Sequence, residues 1–341
     1  MISERISYFD LRRICDSGQI FRMYEREDGV FDVYSGDRFL RLIQRPKKDN
    51  NGGEPAGNGK GMCSEDENAP SVDLFCSQEE FDGYWKRFFD LERDYGSIVK
   101  KAMQDRIYCT SSGVSPTDED GSFLADACLF GSGIRILKQD IWEMMISFIV
   151  SQQKQIPSIR KCIEALCERY GEKKTVLQPE KHTWYTFPTA RKIAAGGPDG
   201  LKGLSLGYRE RYIYETAVKY LSDGLPDEKV ETMGLEAARE YFKSFCGIGE
   251  KVANCICLFG AGYVDAFPID THIKDILFRE FYLRYECPES VSGNAETGRD
   301  RLSMKDYENL TERYFGQFKG YRGIVQQWIF AYELDHSKNN K

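Results

Sequence analysis

Apolar positions repeat along this chain with two different periods. From residue 20 to 44 they alternate, and Ile20–Glu25, Val30–Ser35 and Arg38–Gln44 read as strands. Asp28-Gly29 and Gly36-Asp37 separate them with hairpin turn chemistry. Ser71–Cys76 reads as another strand. Pro46–Pro70, rich in Gly, Asn and charge, reads as a disordered insertion within the sheet. Ser77-Gln78-Glu79-Glu80 has the form of a capping box and opens a helix through Phe81, Trp85, Phe88 and Phe89.

Beyond Thr110–Gly121, which reads as a linker, the period becomes helical. Trp142, Met145, Ile146 and Ile149 recur at helical spacing. Pro157 suits the first turn of the next helix, which carries Ile159, Ile163, Leu166 and Tyr170 on one face and stops at Gly171. Further helices fit Thr189–Ala195, Tyr208–Leu221, Leu235–Phe245, Lys251–Gly260, Thr271–Tyr282, Lys305–Phe315 and Tyr321–Leu334, with Pro288–Arg301 as a loop. No internal repeat is visible. The pattern predicts an α+β chain, with an antiparallel sheet domain over residues 1–112 and a mainly α-helical domain over residues 122–341.

Composition adds three constraints. The 341 residues, 41% of them apolar and 13% aromatic, suffice for two domains with sizeable cores. A net charge of −7 argues against a generally basic nucleic-acid binder, although one basic face can coexist with an acidic remainder. Eleven cysteines without paired spacing fit reduced thiols, and no segment approaches membrane-span length, so an intracellular protein, cytoplasmic or on the nucleoid, is expected. No oligomerisation segment stands out, and a monomer is expected.

The chemistry concentrates in Lys243–Asp270, KSFCGIGEKVANCICLFGAGYVDAFPID. Helix, Gly247-Ile248-Gly249, helix is a helix-hairpin-helix pattern. The glycines permit a tight turn, and the turn with the next helix N-terminus offers backbone N–H groups to a phosphate oxygen. Alone, a Gly-x-Gly turn also fits an ordinary connection between packed helices. Carbonyls near Lys243, Phe245 and Ile248 suggest a structural monovalent cation. Lys251 starts the second helix, at the positive end of its dipole, and a neutral amine is what a nucleophilic lysine needs. Asp270 follows Pro268-Ile269 just ahead of an apolar helix, where it suits an N-cap or a charge-stabilising carboxylate. His272 suits a phosphate contact or a surface position.

At these residues the chain resembles the 8-oxoguanine DNA glycosylase/AP lyase family of helix-hairpin-helix DNA glycosylases. The resemblance extends to Ser17-Gly18-Gln19-Ile20-Phe21-Arg22, to Leu206-Gly207-Tyr208-Arg209-Glu210-Arg211-Tyr212, to Lys251–Leu258, to Pro268-Ile269-Asp270-Thr271-His272, and to Tyr321–Gln326 with Phe330. It implies a twisted N-terminal antiparallel sheet packed on a helical DNA-binding part. It implies double-stranded DNA containing oxidised guanine as partner, and base flipping as the entry step. Lys251 and Asp270 would be catalytic. Phe330 and Cys255 would flank the flipped base, Gln326 would bond its Watson–Crick edge, and the Gly18 carbonyl would accept the N7–H that distinguishes 8-oxoguanine from guanine. Gln153 would fill the vacated stack, Tyr208 would wedge beside the opposite base, and Arg209 would bond the orphaned cytosine. Gly247, Gly249 and His272 would meet the DNA backbone.

No metal or organic cofactor is implied. Only Cys287 lies beyond Asp270, so the cysteine array of an iron–sulfur cluster is missing. Two positions depart from the family pattern: Ser158 stands where relatives often have a second cytosine-reading arginine, and Asn254 where they tend to have aspartate. Two rivals remain: a glycosylase for another damaged base on the same scaffold, and a non-catalytic DNA-binding module, which would need neither Lys251 nor Asp270.

Overall fold

A computed structural model describes residues 1–45, 69–104, 122–177, 179–224, 227–287 and 302–339. The expected linker at Thr110–Gly121, the loop at Pro288–Arg301 and nearly all of the insertion at Pro46–Pro70 lie outside the described residues.

The N-terminal part is a five-stranded antiparallel sheet in the order β1-β5-β4-β3-β2, made of β1 (Ile2–Arg5), β2 (Met23–Glu27), β3 (Val30–Ser35), β4 (Arg38–Gln44) and β5 (Ser71–Leu74). The β3/β4 register sets Phe31 opposite Leu42 and Val33 opposite Leu40, and all four are buried. Gly29 turns β2 into β3 at φ +76°, and a Cβ there would lie 2.6 Å from the Gln44 carbonyl oxygen, so only glycine fits. The sheet covers α1 (Leu11–Asp16), α2 (Gln78–Glu80) and α3 (Lys86–Phe88), the last two joined through a π turn at Phe81–Trp85. Ser77 and Glu80 form the expected capping box.

The strand expected from Ile20 begins only at Met23. The reason is tertiary. Gln19 donates to the Arg135 carbonyl, accepts from the Leu137 N–H and takes Gln139 Nε2 on its own carbonyl, while Phe21 packs edge-on against Phe148. Residues 17–22 therefore leave the sheet and reach into the helices.

The helical part comprises α4 (Tyr95–Gln104), α5 (Ser122–Gly131), α6 (Ile141–Ser151), α7 (Ile156–Tyr170), a hairpin of β6 (Lys173–Val176) and β7 (His182–Tyr185), then α8 (Ala190–Ala195), α9 (Arg209–Asp223), α10 (Asp227–Thr232), α11 (Leu235–Lys243), α12 (Glu250–Phe259), α13 (Thr271–Ile276), α14 (Met304–Phe315) and α15 (Arg322–Asn339). α6 is its central rod, with Ile141 through Val150 all buried. The helix expected over Thr271–Tyr282 is α only as far as Ile276 and continues as a π-helix from Leu277 to Glu286. The sheet is fastened to the helices by Glu143, which accepts from the Gly36 N–H at 2.7 Å and whose carboxyl burial pushes up to about 7. No helix among the described residues is long and apolar enough to cross a membrane.

Candidate active site

The hairpin forms as its glycines require. α11 ends at Lys243, Gly247 adopts φ +79°, and the Ile248 N–H returns to the Phe245 carbonyl at 3.1 Å with Ile248 buried. A Cβ on Gly247 would lie 2.4 Å from the Tyr212 ring. Gly249 is the N-cap of α12 and supplies no side-chain acceptor, so the first N–H groups of that helix stay available to an outside anion. Gly247→Ala should therefore cost about 2–4 kcal/mol, from left-handed strain plus overpacking. Denaturant unfolding and duplex binding, measured together, check this; unchanged values of both would show that the turn tolerates a side chain.

Lys251 lies one residue into α12, half-buried, with its ammonium 5.3 Å from the centre of the Phe148 ring. One turn on, the buried Cys255 thiol is pushed up to about 11, mainly by burial, with the Lys251 charge opposing that rise and the Asp270 charge adding to it. Asp270 caps α13, one carboxylate oxygen accepting the Ile273 N–H at 2.9 Å.

The other pocket candidates arrive from both ends of the chain. Gly18 adopts φ +79°, and a Cβ there would lie 3.2 Å from Phe330 Cε1. Gln327 Nε2 donates to the Ser17 carbonyl at 2.6 Å, stitching α15 to this loop. His272 is exposed and meets Phe330 edge-on at 5.9 Å. Gln326, only 3% exposed, donates Nε2 to the Pro268 carbonyl at 3.3 Å, while its Oε1 is buried with no partner. A buried acceptor left unpaired costs about 1–3 kcal/mol, which a ligand N–H would recover.

A second group forms beside the hairpin. Gln153, exposed at φ +50°, occupies the α6–α7 connection, and Tyr208 is 46% exposed at the start of α9. Arg209 is not at the surface: 6% exposed, it donates to the Leu206 and Gln152 carbonyls and lies 4.4 Å from the Tyr208 ring centre. To meet a base it must leave those carbonyls.

Gln152 escaped the sequence reading. Its Nε2 donates to the Gly247 carbonyl at 2.6 Å while its own carbonyl holds Arg209, so it ties the hairpin to the α9 entry. The adjacent Gln152-Gln153 pair is the sequence signal, but sequence cannot say which glutamine turns inward. Gln327, the Ser17 stitch, was likewise missed beside Gln326. Among the described residues no group of His, Cys, Asp and Glu could hold a metal ion.

Residues 1–145 match the 8-oxoguanine DNA glycosylase N-terminal domain, and residues 146–291 match the HhH-GPD superfamily of base excision DNA repair proteins; their junction falls inside α6. A Saccharomyces cerevisiae N-glycosylase/DNA lyase is 32% identical over 225 residues, covering 62% of this chain and 59% of that protein. A probable N-glycosylase/DNA lyase of Methanothermobacter thermautotrophicus is 26% identical over 211 residues, covering 54% of this chain and 66% of that protein. The chain thus matches somewhat under two thirds of the length of these curated relatives. The structure of the Clostridium acetobutylicum 8-oxoguanine glycosylase/lyase, in complex with double-stranded DNA containing cytosine opposite 8-oxoguanine, superposes with a TM-score of 0.73 at 26% identity, covering 100% of this chain and 99% of that one. With two consecutive family matches across residues 1–291 and this end-to-end superposition, the chain belongs to the 8-oxoguanine DNA glycosylase family of the helix-hairpin-helix superfamily.

Proposed function

We propose that this protein is a bifunctional DNA glycosylase/AP lyase that excises 8-oxoguanine from duplex DNA, acting as a monomer. The observation that carries the reading is the Pro268–His272 turn, which bears Asp270 and meets α15 through the Gln326–Pro268 hydrogen bond and the His272–Phe330 ring contact, where Gln326 Oε1 is buried without a partner. A guanine-type Watson–Crick edge presents N–H donors to such an acceptor. The Gly18 carbonyl, on the loop facing Phe330, suits the N7–H of the oxidised base; unmodified guanine would oppose it with a lone pair.

In this reading the hairpin N–H groups and His272 hold the strand, the base leaves the stack, and Gln153 and Tyr208 occupy the gap. Arg209 swings from its carbonyl partners to the opposite base. The Lys251 amine attacks C1′ as the base departs, and Asp270 stabilises the positive charge developing on the sugar. Loss of the amine proton and opening of the C1′–O4′ bond give a Schiff base. Removal of a C2′ proton then expels the 3′ phosphate, and water releases the lysine. Lysine, aspartate and water complete this chemistry; a monovalent cation on the carbonyls near Lys243, Phe245 and Ile248 belongs to the proposal as a structural support only.

The test is borohydride trapping on duplexes carrying 8-oxoguanine. A covalent adduct with base release supports the reading. Binding without adduct or release would leave a DNA-binding module, and release of a different damaged base alone would assign another lesion. The opposite-base arm carries a further prediction. Ser158 is exposed in the first turn of α7, where an arginine could have reached the complementary strand. Excision opposite adenine should fall within a few-fold of excision opposite cytosine, and Ser158→Arg should widen that ratio roughly 10-fold, the worth of about one base-reading contact. A strong cytosine preference in the unmodified protein would refute it.

A further inference from the structure

The carboxylate of Glu250, in the first turn of the helix whose start would receive a phosphate, is held by three side chains. Glu250 is the first residue of α12, directly after the Gly249 cap. Its Oε1 lies 3.1 Å from Arg239 Nε and accepts from Asn254 Nδ2 at 3.2 Å, and its Oε2 lies 2.9 Å from Lys243 Nζ. Arg239 and Lys243 sit one turn apart on α11, across the turn from Glu250. Asn254 Nδ2 also donates to the Glu250 carbonyl at 2.9 Å, bracing the first turn of α12. Glu236 and Glu240 pair with the same two cations from their own helix.

A free carboxylate in a helix's first turn is favoured by the dipole, but here it would compete with a phosphate for the same N–H groups and repel it. The side chains of Glu250, Arg239 and Lys243 are 31%, 28% and 34% exposed, beside a cleft of about 310 Å³ that Arg239, Glu250, Lys251 and Asn254 help to line. The pairs are thus sheltered from full screening but still respond to salt.

We propose that Glu250 is a positioning residue, resting on the reading above: its three-way clamp fixes α11 against the first turn of α12, aiming Lys251, and draws its own charge back from the phosphate site. The clamp also gives a reason for Asn254, since aspartate there would place a second carboxylate in the 3.2 Å contact now made by an amide donor.

The experiment compares Glu250→Ala, Glu250→Gln, Asn254→Asp and Lys243→Ala with the unmodified protein. Affinity for a duplex containing a reduced abasic analogue is measured by fluorescence anisotropy across a salt series, single-turnover excision by trapping, and thermal stability alongside. Glu250→Ala should bind as tightly as the unmodified protein, or more tightly at low salt, while single-turnover excision falls roughly 10- to 100-fold, as expected of a misaimed nucleophile. Glu250→Gln, which keeps one acceptor oxygen but not the charge, should recover part of that loss, and Asn254→Asp should lose rate. Lys243→Ala should weaken binding a few-fold at low salt, the difference closing as salt rises. Rate, affinity and melting temperature falling together for Glu250→Ala would make the clamp merely structural and overturn the proposal, as would no change in rate. If the unmodified protein forms no adduct, the catalytic reading fails, and the salt-dependent binding of Lys243→Ala still decides whether the carboxylate is caged.

Discussion

Lys251→Gln should abolish the borohydride-trapped adduct and slow base release by on the order of 10³-fold or more, as loss of a nucleophile does elsewhere, while duplex affinity stays within a few-fold. The expectation follows from position. The lysine extends from the first turn of α12 over the Phe148 ring, with Cys255 one turn beyond. Glutamine nearly matches the length and polarity of the side chain but cannot form a Schiff base. The ammonium–ring contact it forfeits is worth about 0.5–2 kcal/mol, a minor part of typical domain stability, so lost activity should not come from unfolding. An adduct surviving in this variant would move the nucleophile to another amine and sink the assignment.

The hairpin and the places of Lys251 and Asp270 at two helix starts were legible because each depends on a local requirement: two glycines for the turn, an uncapped helix start, an aspartate cap after proline. The long helices were legible because one apolar face recurs through them. What escaped was set by tertiary partners. β1 alternates half-buried and exposed residues at a sheet edge and reads as a charged terminus, although Ile2 to Arg5 pair fully with β5. β6 and β7 are short and charged, with Lys173 and Lys174 in the first; they are held by pairing with each other and by His182 and Trp184 packed against Tyr34 and Phe39 of the sheet. Ile20 to Arg22 carry strand-like residues but leave the sheet because Gln19 is bonded to the helical part. Arg209 could be expected at the DNA surface from its neighbours, whereas its burial depends on the Gln152 carbonyl, fifty-seven residues away in sequence.

Asp270→Asn should separate the two duties assigned to one carboxylate. As a cap, Asp270 accepts the Ile273 N–H at 2.9 Å, and asparagine caps a helix about as well as aspartate, so stability should change by less than about 0.5 kcal/mol. As a catalyst, it must face positive charge growing on the sugar as the base departs, and a neutral amide cannot supply that. Base release should then fall by on the order of 10²–10³-fold, the usual consequence of removing one group aimed at transition-state charge. Asp270→Ala should lose the same activity and, in addition, about 1 kcal/mol of stability with the cap. Single-turnover excision and thermal unfolding on both variants give the comparison. An asparagine variant with full excision would reduce Asp270 to a helix cap and leave Lys251 without its electrostatic partner. An asparagine variant that melts as early as the alanine one would mean that the charge itself, through the α13 dipole, stabilises the fold, and the two duties could not be divided by this substitution.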